Sequence, residues 1–392
     1  MSSANLMTTY NRLDVTFVRG EGAELWDEGG KRYLDALSGI AVTGLGHAHT
    51  AITEALCLQA GTLVHTSNLY RITHQETLGT KLAALSGLTH TFFCNSGAEA
   101  NEAALKLARR FGNERGLNGP KVLVAEGSFH GRTMATLSAT GNPKVHAGFE
   151  PLLSGFVHVP FGDISAAEQT LAQDETVVAV FVEPIQGEGG VVLPPPGYLA
   201  DLRELCDRFG RLLMIDEIQT GMCRTGQWFA HQHENIVPDV MTLAKGLGNG
   251  VPIGACLARG DAAEVLQPGT HGSTFGGNPL ATRAALAVLE TMEQESIAER
   301  AASMGDHCLA AFRDRLGALE LVGDIRGQGM MIGIELTESC SELVGKALDS
   351  GLLINVTADK VIRLLPPMIM SDDELGEMVN TVCKLIEEKE HA

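Results

Sequence analysis

Positive charge is scarce in this chain of 392 residues, which sets 29 Lys and Arg against 48 Asp and Glu for a net charge of -19. That balance excludes an electrostatic grip on nucleic acid or anionic lipid, so neither is an expected partner, and any anionic substrate must be held by a few local cations. Long apolar runs are missing too. The run Val177 to Val182 is far too short to span a bilayer, and Met-Ser-Ser-Ala-Asn at the start has no basic region leading into an apolar stretch. The eight cysteines form no C-x-x-C pair and mostly lie in apolar surroundings such as Thr91-Phe92-Phe93-Cys94. They predict buried thiols in a reducing compartment, and hence a cytoplasmic protein. No G-x-G-x-x-G, G-x-S-x-G or H-E-x-x-H occurs, and neither Gly-Lys pair (30/31, 345/346) has the neighbours of a phosphate-binding P-loop. His47, His49, His231 and His233 lack companions at metal-ligand spacing and are expected to be structural, with no metal. Repeats, low-complexity tracts and flexible linkers are absent as well.

What remains is an ordinary globular composition, 44% hydrophobic, with enough chain for a large core and two or three domains. From about residue 90 to 258 short apolar runs alternate with helical patterns, which predicts an α/β fold whose mostly parallel sheet carries helices on both faces. Strands are expected at 91 to 94, 122 to 125, 156 to 159, 178 to 183, 212 to 216, 240 to 244 and 253 to 257. Several are apolar throughout, as strands covered on both sides should be. Residues 1 to 45 carry two short strand patterns around Asp27-Glu28-Gly29-Gly30 and form an N-terminal segment lying against the rest. Residues 46 to 278 form the large domain. Asn278-Pro279 caps a long connecting helix into a smaller C-terminal α+β domain over 279 to 392.

Chemistry concentrates where these strands end. Strand 91 to 94 runs into Asn95-Ser96-Gly97-Ala98-Glu99, then apolar residues recur at 100, 103, 104, 107, 108 and 111. Ser96 and Glu99 have capping-box spacing, and a helix N-terminus after a Gly-containing turn suits a phosphate, although an ordinary capped helix reads the same way. Leu212-Leu213-Met214-Ile215 ends in Asp216, a carboxylate at the ligand edge of the sheet that needs a cationic partner. A lone Lys245 emerges from the next apolar run into a Gly-rich turn, where burial would lower its pKa and free the amine to attack a carbonyl; a solvated surface lysine is the bland alternative. Phe129-His130-Gly131-Arg132 offers a flat ring and a carboxylate-binding fork. Arg363 and Glu183 are charges amid apolar residues, so each requires a partner, which an unrelated salt bridge could equally supply.

These blocks, with Val182 to Gly190, Asp216-Glu217-Ile218-Gln219-Thr220-Gly221 and His271 to Pro279, occur in one order and resemble the fold-type I aminotransferases of the ω-amino-acid subgroup over nearly the whole chain. The resemblance implies the cofactor pyridoxal 5′-phosphate, borne on Lys245, with Asp216 at its ring nitrogen, Gln219 at its phenolic oxygen and Phe129 stacked on its ring. Gly97 and Ala98 would take the phosphate, with Ser96, Glu217 and Ile218 in the same binding set. Thr274 would reach that phosphate from a second subunit, making an obligate homodimer with shared sites. His271 to Ala281 is most similar to the branch accepting acetylornithine, with Arg132 and Ser273 at its substrate-binding positions. Succinylornithine, ornithine and 4-aminobutyrate enzymes share most other blocks. Expected substrates are thus an acylornithine, 2-oxoglutarate and glutamate. The resemblance makes Lys245 and Asp216 the expected catalytic pair, with Lys245 also expected to move a proton from the substrate carbon. One site must take donors with and without an α-carboxylate at the reacting carbon. Arg363 is therefore expected to clamp that carboxylate and Glu183 to neutralise Arg363 between times.

Overall fold

A computed structural model describes residues 5–391. At its centre lies a seven-stranded sheet in the order His90–Cys94, Gly254–Ala258, Val240–Leu243, Leu212–Asp216, Val177–Val182, Lys121–Ala125, Phe156–Val159. The last five are mutually parallel, while Gly254–Ala258 runs antiparallel to both of its neighbours. The apolar runs explain this placement. Every residue of Val177–Val182 and of Leu212–Asp216 is buried, because alternate side chains enter separate cores on the two faces. Phe181 and Met214 meet Ala104, Leu107 and Phe111 of helix Gly97–Glu114 on one side; Val182 and Ile215 meet Leu199 and Leu202 of helix Tyr198–Phe209 on the other. Each such aliphatic side chain withdrawn from water contributes about 1.5–3 kcal/mol, so a charge in either run would break the layer.

Parallel strands of this kind end on one edge, and the segments after Cys94, Ala125, Val182, Asp216 and Leu243 gather there. Glu183 lies one residue beyond its strand, not within it. Asn278 caps helix Pro279–Gln294 by accepting from the Ala281 amide at 2.9 Å. This helix leads to an antiparallel sheet in the order Val322–Gln328, Met331–Leu336, Val361–Leu364, Asn355–Thr357. Helices Ile297–Leu316 and Asp372–Glu390 pack with that sheet in the largest core cluster. The N-terminal strands Phe17–Glu21, Glu24–Asp27 and Arg32–Asp35 do more than lie against the rest: Leu352–Leu353, from the region of the C-terminal sheet, pairs in parallel with Leu34 and Asp35 and completes their sheet.

All eight cysteines are free thiols, seven of them buried; Cys57, on the outer side of helix Thr50–Ala60, departs from expectation in being exposed. No helix among the described residues is long and apolar enough to cross a membrane.

Candidate active site

The gathered strand ends enclose a chamber of about 420 Å³ lined by Ser96, Gly97, Ala98, Phe129, Arg132, Glu183, Glu188, Asp216, Ile218, Gln219 and Lys245, among others. Asp216 ends its strand in register with Thr242, three residues before Lys245 on the neighbouring strand's exit. Adjacent strands thus deliver the acid and the amine side by side.

Lys245 has φ 45°, an uncommon left-handed backbone for a residue with a side chain. Its amine is pushed down to about 8, chiefly because the chamber walls strip it of water; Arg363 also lowers it, while Glu188, Asp216 and Glu183 oppose the shift. A lysine titrating there keeps a fraction of free amine near neutrality and can act as a nucleophile or base.

Asp216 is 4% exposed and accepts from His130 Nδ1 at 2.8 Å, Asn101 Nδ2 at 2.8 Å and the Ile218 amide at 3.0 Å. A carboxylate offers about four acceptor positions, so one stays open beside the chamber. Opposite, Ser96 caps helix Gly97–Glu114 through the Glu99 amide at 3.2 Å. The capping box is displaced by one residue: the Glu99 carboxylate reaches the amide and side chain of Asn95, not Ser96. Gly97 and Ala98 occupy the first helical positions, whose amides have no intrahelical acceptor and face anions favourably. A Cβ on Gly97 would stand 2.8 Å from Ile218 Cδ1, so any larger residue here would have to displace the Ile218 side chain.

Two expected placements are corrected. Glu183 does not neutralise Arg363: it accepts from the amides of Phe129 at 2.9 Å and Gly187 at 3.2 Å, and burial raises its pKa to about 7 despite those donors. Arg363 instead pairs with Glu188 at 2.6 Å, bonds Asn355 at 2.9 Å and leaves Nη2 buried without a partner. It lies just behind the chamber wall, its Nη1 touching the wall residues Glu188 and Gln219, the latter at 3.4 Å. Glu217, in turn, points away from the chamber. It receives the Ala230 amide at 3.0 Å, the His231 amide at 2.9 Å and the His231 ring at 3.1 Å. Burial alone would raise its pKa, yet these donors, with Thr220, leave it lowered. Consecutive residues of an extended strand end point to opposite sides, which separates Glu217 from Asp216.

Ser273 and Thr274 also stand outside their own chamber. Thr274 is exposed, and Ser273 is tethered by Asn95 at 3.2 Å while holding the Gly276 amide at 3.0 Å. Arg132 is exposed at the chamber rim, its guanidinium 5.6 Å from the centre of the Phe129 ring. Sequence reasoning gave no role to Glu188 or His130, which lie inside the quoted motifs, or to Asn101, two residues after Glu99.

The site fits a flat, anionic, carbonyl-bearing cofactor with a basic ring nitrogen. An amine of lowered pKa could take the carbonyl, a carboxylate with an open acceptor the ring nitrogen, and a helix N-terminus the phosphate.

Comparison with known proteins agrees. The family model for class-III aminotransferases matches residues 7–386. An acetylornithine aminotransferase of Nitrosomonas europaea is 58% identical over 98% of both chains, and one of Methanothermobacter thermautotrophicus is 46% identical over 97% of this chain and 96% of its own. Among solved structures, the ornithine aminotransferase of Toxoplasma gondii superposes with a TM-score of 0.95 at 36% identity, covering 99% and 94% of the two chains. An acetylornithine aminotransferase from Elizabethkingia anophelis gives 0.87 at 34% identity, covering 97% and 96%. The chain belongs to the class-III aminotransferase family, whose enzymes work with pyridoxal 5′-phosphate.

Proposed function

We propose that this protein moves the terminal amino group of N2-acetyl-L-ornithine to 2-oxoglutarate, giving N-acetyl-L-glutamate 5-semialdehyde and L-glutamate, a step of arginine biosynthesis. The relatives named for acetylornithine, at up to 58% identity, support the substrate. The observation that carries the chemistry is the covered cation, Arg363 behind Glu188. When bound, pyridoxal phosphate supplies an electron sink for the carbon that loses its proton. Lys245 would hold the cofactor through Nζ, and that Nζ, when free, would take the proton from the substrate carbon. Asp216 keeps the ring nitrogen protonated through its open acceptor position. Gln219 serves the phenolic oxygen, Phe129 the ring face, and Ser96, Gly97, Ala98 and Ile218 the phosphate end.

The two donors differ at the reacting carbon: glutamate bears a carboxylate there and acetylornithine does not. Arg363 takes the glutamate carboxylate, and Glu188, in place of Glu183, neutralises Arg363 while acetylornithine reacts. Only a side-chain rotation is needed, because Arg326 pins the Glu188 loop through the Gly190 and Val191 carbonyls at 2.7 and 2.8 Å. Arg132 at the rim is placed for the carboxylate of the acetylornithine chain. Exposed Thr274, with Phe275 59% exposed beside it, completes the phosphate site and Ser273 the substrate site of a second copy, so the working unit is a homodimer of the cytoplasm. A panel of acetylornithine, succinylornithine, ornithine and 4-aminobutyrate with 2-oxoglutarate, following glutamate, tests the reading. Acetylornithine should give the highest kcat/KM, and a higher value for any other donor overturns the substrate assignment.

A further inference from the structure

Asn101 is fully buried about one turn into helix Gly97–Glu114, on the side facing the sheet, and has no part in the chemistry above. Its Nδ2 donates to Asp216 Oδ2 and to the His130 carbonyl, each at 2.8 Å. Its Oδ1 is buried with no donor. Exchanging the amide's oxygen and nitrogen would set an acceptor against two acceptors, so this network fixes the orientation despite the unmet oxygen. A buried amide left half satisfied is a cost that a leucine of similar size would avoid.

The return on that cost lies in how the carboxylate is held. Oδ2 of Asp216 receives both Asn101 and His130, whose ring is kept in place by stacking on Phe181 at 4.3 Å. Oδ1 receives only the Ile218 amide, at 3.0 Å. One oxygen is thus saturated and the other is left with a vacant lone pair. His130 and the Ile218 amide each hold one oxygen, and Asn101 adds the second donor that fills Oδ2, so that Oδ1 alone keeps acceptor capacity.

We propose that Asn101 is a positioning residue for the cofactor's ring nitrogen: by engaging Oδ2 together with His130, it sets the carboxylate of Asp216 so that Oδ1 is the atom presented to the ring N–H. This rests on the assignment of Asp216 to the ring nitrogen, and the two ideas fail differently. Apoenzyme is titrated by equilibrium dialysis with pyridoxal 5′-phosphate and with 1-deazapyridoxal 5′-phosphate, in which a C–H replaces the ring nitrogen. The unsubstituted protein should prefer the natural cofactor by about tenfold or more, as expected for a hydrogen bond to a charged group. Asn101→Leu should cut that preference by about fivefold or more while changing the affinity for the deaza analogue by less than about twofold. If both ligands weaken equally, Asn101 is structural and the proposal is overturned. If the unsubstituted protein shows no preference, the assignment of Asp216 falls first and the proposal with it. Asn101→Ala, which removes the donor without adding bulk, is read by the same criterion should the leucine variant not fold.

Discussion

Replacing Glu188 by alanine isolates the proposed gate. The Arg363 side chain has no solvent exposure, whereas that of Glu188 is one-third exposed, and the pair is 2.6 Å apart. Removing one partner of a fully buried pair costs about 3–5 kcal/mol, but water can follow into the space left by a carboxylate this exposed, which reduces the figure to about 1–3 kcal/mol. The penalty falls on one half-reaction only. With glutamate in the chamber Arg363 has the substrate carboxylate as its partner; with acetylornithine it retains only Asn355 and Gln219. Glu188 also helps hold up the Lys245 pKa, and its loss lowers that pKa further, but both half-reactions use the same amine, so this effect cancels in their ratio. Single-turnover absorbance measurements should therefore show the glutamate-to-acetylornithine rate ratio rising roughly 5- to 150-fold. Glu188→Gln, which keeps shape without charge, should fall between, and Glu183→Ala should leave the ratio unchanged. Equal slowing of both half-reactions in Glu188→Ala, or a selective shift in Glu183→Ala, would refute the reasoning.

Lys245→Ala should remain folded and retain no cofactor after borohydride treatment and denaturation. In the apoprotein, acylation of Lys245 by an amine reagent followed by peptide mapping should rise with pH around a midpoint of about 8, since a lowered pKa exposes free amine at lower pH; a midpoint near the ordinary lysine value of 10.5 would contradict the desolvated site. Thr274→Ala should weaken cofactor binding, and heterodimers with Lys245→Ala should regain activity because one of their two sites then carries neither change; a verified heterodimer without activity excludes a shared site. Glu217→Ala should leave cofactor affinity intact but destabilise the fold by about 2–4 kcal/mol in denaturant unfolding, because the amides of Ala230 and His231 lose their acceptor; an unchanged unfolding midpoint would remove its structural role.

The sheet was legible because its strands are short apolar runs, and Asp216 and Lys245 were legible because each stands where such a run stops. Glu188 was not. A carboxylate in a glycine-rich loop looks solvated in sequence, and its partner Arg363 lies 175 positions away, a proximity that no local pattern encodes. Glu183, framed by apolar residues, drew the assignment instead, yet backbone amides satisfy it. Glu217 carried no local sign of its direction either: its acceptors are filled by the amides of Ala230 and His231, 13 and 14 positions away. Asn101 left a trace: it interrupts the apolar stripe of its helix one residue after Ala100 and three before Ala104, both fully buried. The pairing of Leu352–Leu353 left none, because a strand of two residues has no period to read.

That pairing bears on how the protein is made. Arg32–Asp35 leaves the ribosome with one edge open, and the residue that closes it, Leu352 against Leu34, follows 318 positions later. At roughly 5–20 residues per second, on the order of 16–60 s of synthesis pass before this edge is covered. Through that interval a short strand offers unpaired amides and carbonyls to any neighbouring chain. The Leu34 and Ala36 amides find Gly351 and Leu353, at 2.8 and 3.0 Å, only once that segment is made, so this sheet closes late although three of its four strands are translated well before Leu352. Nascent chains arrested before residue 350 should accordingly be more sensitive to protease around residues 17–35 than chains arrested well past the C-terminal sheet.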